Sequence, residues 1–252
     1  MPVTMSVPLI RYLPSNTAGR DFLVGDLHGC YQLLQDSLEG VSFDPTVDRV
    51  ISVGDLIDRG PDSVACIGLL DESWFFAVRG NHEQLMIDAL LHDDEDAMGT
   101  WLYNGGVWIV QVNEDKRTEL ARRLDELSYA IVVGKGEKRF NVLHAEFYGS
   151  DQDLDRVASI GMTRRQSAVI IEGRKICKDR FRPGAANAGA LSATYCGHTI
   201  VDVPFSRSSH VFIDTGAYHP RGRLTLLEHG NGPVLEMTTT IQPVQQQTNL
   251  SM

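Results

Sequence analysis

Short apolar runs alternate along the chain with stretches in which apolar residues recur every three or four positions. The run Phe22-Leu23-Val24 enters Gly25-Asp26-Leu27-His28-Gly29, then a helical pattern with Leu33, Leu34 and Leu38 around the small Ser37, ended by Gly40. Arg49 to Val53 leads into Gly54-Asp55-Leu56-Ile57-Asp58-Arg59-Gly60. Pro61 and Asp62 open the next helix, where a proline costs little because a first-turn N–H has no partner. Trp74 to Val78 gives way to Arg79-Gly80-Asn81-His82-Glu83 and a helix carrying Leu85, Met86, Ala89 and Leu90. Nearly continuous apolar strands alternating with one-faced helices predict parallel strands buried on both faces.

The pattern then loosens. Residues 92–128 read as helical and peripheral, with Asp93-Asp94-Glu95-Asp96 a solvated loop, a break at Gly105-Gly106 and an amphipathic helix from Lys116 to Leu127. Period-two alternation from Tyr129 to Val133 and from Phe140 to Leu143, around Gly134-Lys135-Gly136, predicts a β-hairpin whose second strand ends on His144. Residues 150–190 read as polar and irregular apart from a helix near 164–172. Short strands follow at 193–196, 210–213 and 224–228, the first running into Gly197-His198-Thr199. Residues 1–20, with Pro2, Pro8 and Pro14, read as an irregular leader, and the tail beyond 240 as disordered. No repeat and no Pro/Ser-rich linker interrupts the rest, which predicts a single domain over 21–240.

Composition narrows the function. With 252 residues, 42% of them hydrophobic, the chain can bury a sizeable core. A formal net charge of −10 argues against general binding to nucleic acid or to an anionic membrane surface. An acidic enzyme acting on anionic substrates must gather positive charge locally. No run approaches the roughly 18–20 apolar residues of a membrane span, and Met1 to Ile10 lacks the pattern of a signal peptide, so a cytoplasmic location is expected. Cys30, Cys66, Cys177 and Cys196 form no C-x-x-C pair, and none has an arginine six residues later. Buried, reduced thiols are expected rather than a zinc knuckle or a thiolate that attacks phosphate.

The candidate chemistry lies at strand ends. Asp26 with His28, Asp55, Asn81, His144 and His198 each follow an apolar run, and in open α/β sheets ligands bind beyond the carboxyl ends of the strands. Asp26 and His28 alternate to the same side of an extended segment. Taken singly, such a residue is more often a cap or a hydrogen-bonded core group than a metal ligand. Together they form a set of imidazoles, carboxylates and one carboxamide suited to Mn²⁺, Fe²⁺ or Zn²⁺. Six ligands exceed one tetrahedral ion and fit two ions roughly 3.5–4 Å apart sharing a carboxylate, an arrangement that clamps phosphoryl oxygens.

The three stretches Gly25–Gly29, Gly54–Gly60 and Arg79–Glu83 resemble the signature motifs of the phosphoprotein phosphatase family of metallophosphoesterases. Leu143-His144-Ala145, Gly197-His198-Thr199 and Ile213-Asp214-Thr215-Gly216-Ala217 extend the resemblance, which covers roughly residues 20–228 and is nearest the phage lambda phosphatase and its bacterial relatives. It implies an α/β calcineurin-like fold of two mixed β-sheets in a sandwich flanked by helices. It also implies hydrolysis of phosphoserine and phosphothreonine in proteins, with phosphotyrosine a further substrate, by in-line attack of a metal-bridging hydroxide. Two divalent ions, Mn²⁺ foremost and Fe²⁺ or Zn²⁺ as alternatives, are implied as cofactors. Asp26 and His28 would hold one ion, Asp55 would bridge, and Asn81, His144 and His198 would hold the other. His82 would protonate the leaving alkoxide, oriented by Asp58. Arg59 would grip phosphate, and Arg79 would either do the same or brace its loop.

In phage-type relatives a Trp-Asn-Arg stretch supplies another phosphate-binding arginine. Met162-Thr163-Arg164 is its apparent counterpart here, which makes Arg164 the candidate, with Arg165 adjacent. The interval from Arg164 to His198 is about ten residues longer than in those relatives. It carries Arg174, Lys175, Lys178, Arg180 and Arg182 before Pro183-Gly184-Ala185-Ala186, readable as a surface insertion or as a basic border to the site. Two other functions use the same motifs: symmetrical diadenosine tetraphosphate hydrolysis, and a non-catalytic binding protein. The latter would be expected to have lost a ligand, His82 or Arg59, and all are present.

Overall fold

A computed structural model describes residues 7–179 and 190–230. It is a four-layer stack of helices, sheet, sheet and helices. The smaller sheet has the order β10-β2-β3-β4, with β2 (Asp21–Val24), β3 (Arg49–Ser52) and β4 (Phe75–Ala77) parallel and β10 (Leu226–Glu228) antiparallel to β2. The larger has the order β1-β5-β6-β7-β9-β8, built from Ile10–Leu13, Ala130–Val133, Phe140–Leu143, Ala193–Cys196, His210–Phe212 and Phe205–Arg207 respectively.

Side-chain alternation assigns the faces. Leu23, Ile51, Val53 and Val78 of the smaller sheet meet Ile131, Val133, Val142, Tyr195, Val211 and Ile213 in the inter-sheet core. Phe22, Val24 and Val50 turn to the other face, against α1 (Tyr31–Gly40), α2 (Ser63–Gly68), α3 (Asn81–Leu91), α4 (Glu95–Tyr103) and α5 (Glu114–Asp125). The outer face of the larger sheet packs on α6 (Asp151–Ile160) and α7 (Arg164–Glu172) through Leu154, Val157, Ile170 and Ile171. Each such buried aliphatic stabilises the fold by about 1.5–3 kcal/mol. All four cysteines are free and buried, as the sequence predicts.

Several expectations need correction. The leader is not irregular throughout: Ile10–Leu13 pairs in parallel with Ala130–Val133 as an edge strand, where Pro8 and Pro14 can flank it without interrupting a central ladder. Residues 150–190 contain a second helix, α6, started by a capping box in which Asp153 N–H donates to Ser150 Oγ and Ser150 N–H to Asp153 Oδ2. The acidic run 93–96 is a helix start, with Asp94 accepting from Ala97 N–H at 2.9 Å. Residues 241–252 and Arg180 to Ala186 lie outside the described residues.

Candidate active site

The site forms where the turns after β2, β3, β4, β6 and β7 converge. The turns bind one another through the main chain: Leu27 and His28 N–H donate to Asp55 O at 3.1 and 2.8 Å, and Gly60 N–H donates to His28 O at 2.9 Å. Gly29 has φ +70, and a Cβ there would stand 2.9 Å from the Gly60 carbonyl carbon, so only glycine fits without strain. Five non-glycine residues with left-handed φ sit in these turns: His28, Asp55, Asp58, Arg59 and His198. That conformation is costly outside glycine, and strain of this kind gathers at functional sites.

Asp55 is the hub. Its Oδ2 lies 3.6 Å from His28 Nε2, 3.4 Å from His144 Nε2 and 3.9 Å from His82 Nε2, while Oδ1 accepts His82 N–H at 3.0 Å. Asn81 Oδ1 sits between His144 Nε2 at 3.1 Å and His198 Nδ1 at 2.9 Å. The Nδ1 atoms of His28 and His144 face the carbonyls of Ile57 and Val53 at 2.8 and 2.7 Å, which turns each Nε2 into the site. Asp26 accepts His198 N–H at 3.0 Å, and a Cβ on Gly197 would fall 1.8 Å from Asp26 Oδ1. Burial favours the neutral acid at Asp55, yet the imidazoles of His144 and His82 outweigh it and hold its carboxyl well below the usual range. Asp26 goes the other way, raised by burial and then by Asp214.

Ligand atoms of His28, Asp55 and His82 lie within 4.8 Å of one another, as do those of Asp55, His144 and His198. Asp55 belongs to both groups, the position of a bridging carboxylate. His198 Nε2 is buried and finds no hydrogen-bond partner. Mixed oxygen and imidazole donors around a shared carboxylate fit divalent metal ions. Asp26 is in neither close group and stands beside them against Gly197 and His198.

His82 and Asp58 form a dyad, Nδ1 to Oδ2 at 2.6 Å. Burial lowers the His82 pKa, but Asp55 and Asp58 outweigh it and raise it overall. Arg59 directs Nη1 at His28 Nε2 (2.7 Å) and Nη2 at His82 Nε2 (3.0 Å), with its guanidinium 4.6 Å from the Tyr218 ring centre.

Of the other two arginines, Arg79 takes the second of its two expected roles and Arg164 departs from expectation. Arg79 is buried and spends its guanidinium on Leu127 O, Asp125 and Gln84, over the Tyr129 ring; it braces its loop. Arg164 begins α7 and is exposed. The far end of that helix is the one at the site, where Ala145 N–H donates to Ile170 O; at 1.5 Å per residue the eight steps from Arg164 to Glu172 span about 12 Å. Among the described residues of the basic insertion, Arg174, beyond the helix, reaches in, with Nη1 3.4 Å from Thr199 Oγ1 and its charge among the influences that, after burial and His144, push His198 down to about 2.

Two further buried carboxylates at the site, Glu83 and Asp214, have no role assigned from the sequence. Glu83 is buried, accepts N–H from Gly80, Asp55 and Leu56 at 2.8–2.9 Å and so ties the second and third turns together. Its signal was its place three residues after the helix N-cap. Asp214, also buried, accepts Gly216 N–H at 2.9 Å; burial pushes it up to about 6.

The sequence profile of the calcineurin-like phosphoesterases matches residues 22–222, and the chain belongs to that family. It is 33% identical over 221 residues to serine/threonine-protein phosphatase 2 of Salmonella typhimurium, an alignment covering 83% of this chain and 94% of the relative. The symmetrical bis(5'-nucleosyl)-tetraphosphatase of Erwinia tasmaniensis is 32% identical over 118 residues, 40% of this chain and 42% of that one. Among solved structures, a protein serine/threonine phosphatase from Saccharomyces cerevisiae shares the fold with a TM-score of 0.66 at 15% identity, covering 96% of this chain and 86% of that one.

Proposed function

We propose that the protein is a metal-dependent phosphoprotein phosphatase that hydrolyses phosphoserine and phosphothreonine monoesters. The observation that carries this reading is Asp55 Oδ2 facing His28, His144 and His82 at 3.4–3.9 Å, which sets a shared carboxylate beside a proton donor. The near-full-length relatedness to a serine/threonine phosphatase supports it further, against a partial match to a dinucleotide hydrolase.

Asp26, His28, Asp55, Asn81, His144 and His198 would hold two divalent ions, Mn²⁺ first among the candidates. Such ions supply Lewis acidity, activate water and neutralise phosphoryl oxygens. Arg59 and Arg174 would donate to the phosphate, each as a planar two-donor fork. Water attacks phosphorus in line as the ester P–O bond breaks. His82 Nε2 gives its proton to the departing serine or threonine oxygen, and Asp58 keeps the imidazolium aligned. A positioned acid of this kind is worth roughly 10²–10⁴-fold.

His82→Asn is expected to lower turnover of a phosphoserine peptide by about that factor while metal content, measured by elemental analysis, stays near that of the parent. Loss of metal in that variant would show His82 to be a ligand rather than the acid.

A further inference from the structure

The segment from 95 to 111, expected at the periphery, sends two indoles to the Asp58–His82 pair. Trp101 Nε1 donates to Asp58 Oδ1 and Oδ2 at 3.0 and 2.9 Å. Trp108 Nε1 donates to Oδ1 at 2.7 Å. The rings meet edge to face, with centres 6.3 Å apart at 87°. Asp58 and Trp101 are fully buried. The Gly105-Gly106 break makes this approach possible. Gly105 has φ +118, and a Cβ on it would stand 2.9 Å from Arg59 N; a Cβ on Gly106 would stand 2.6 Å from Trp101 Nε1 and Cε2. The two glycines let one loop pass Arg59 and the Trp101 ring together.

We propose that Trp101 and Trp108 are positioning residues for proton donation to the leaving group, holding the Asp58 carboxylate so that Oδ2 faces His82 Nδ1. A carboxylate offers about four lone-pair directions. Here Trp108 donates to Oδ1, the single Trp101 N–H is shared between Oδ1 and Oδ2, and His82 Nδ1 meets Oδ2. Rotation of the carboxylate, itself fully buried, would break two or three hydrogen bonds. An indole N–H also satisfies the buried carboxylate without adding positive charge next to the imidazole, as an arginine or lysine would. The inference rests on His82 acting as the acid.

A departing alkoxide needs a proton and a dinitrophenolate does not, so leaving-group dependence separates positioning of the acid from general damage. The variants are Trp101→Phe, Trp108→Phe and the enzyme carrying 3-benzothienylalanine at 108, which keeps the ring shape and loses only the N–H. For each, kcat/KM is measured on a phosphoserine peptide and on 2,4-dinitrophenyl phosphate, beside His82→Asn. The expected result is a fall on the order of tenfold with the peptide, part of the roughly 10²–10⁴-fold worth of the acid, and little change with the aryl ester. Parallel loss on both substrates, or no loss on either, while His82→Asn selectively loses the peptide reaction, would overturn the proposal. If His82→Asn spares the peptide reaction, the assignment of the acid fails and the proposal with it. The isosteric variant decides the matter should the Phe variants not fold.

Discussion

Arginine placement separates what one residue does from what its motif promises. Arg79 lies inside a signature stretch yet gives its donors to Asp125 of α5, to Leu127 on the approach to β5 and to Gln84 of α3. Arg174 lies in no motif and reaches Thr199 beside His198. Arg174→Ala is expected to lower kcat/KM for a phosphopeptide roughly ten- to a hundredfold, the worth of a charge-assisted hydrogen bond of about 1.5–3 kcal/mol. Arg164→Ala should leave it unchanged. Steady-state kinetics on the two variants checks this, and the reverse ranking would restore Arg164. The metal-type residues were readable from sequence because each follows its apolar strand within a few positions. Trp101 and Trp108 were not, since they lie 43 and 50 residues from Asp58 and only the tertiary fold joins them.

At the scale of elements, the turns matter more than the strands they end. The smaller sheet's parallel β2-β3-β4 order followed from its near-continuous apolar runs, because burial on both faces leaves no other pattern. Strand β1 was hidden between prolines in a run too short to show alternation. Helix α6 was hidden because only Leu154 and Val157 are buried in an otherwise polar segment. Close approach of turns predicts a sharp effect at Gly197, where a Cβ would meet Asp26 Oδ1 at 1.8 Å. Gly197→Ala should displace that carboxylate and reduce bound metal, measured by elemental analysis, with far-UV circular dichroism retained. Gly68→Ala, with nothing within 4 Å of the added carbon, is the control and should keep its metal. Full metal occupancy in Gly197→Ala would remove Asp26 from the ligand set.

For the whole molecule, three apolar clusters fix the layers, and the site lies where strand ends of both sheets meet. Asp26, His28, Asp55 and Asn81, which follow strands of the smaller sheet, thus face His144 and His198 from the larger. Among the described residues no helix is long and apolar enough to cross a membrane. With a formal charge of −10, the proposed function needs local cations to capture an anionic substrate, and Arg59 and Arg174 are the candidates among the described residues. The most direct test is phosphate release from a phosphothreonine peptide by protein stripped with a chelator and then reloaded with Mn²⁺, compared with hydrolysis of diadenosine tetraphosphate by the same sample. Turnover of the peptide that vanishes on stripping, returns on reloading and exceeds that of the dinucleotide in kcat/KM is the predicted result. Metal-independent turnover, or faster cleavage of the dinucleotide, would contradict it.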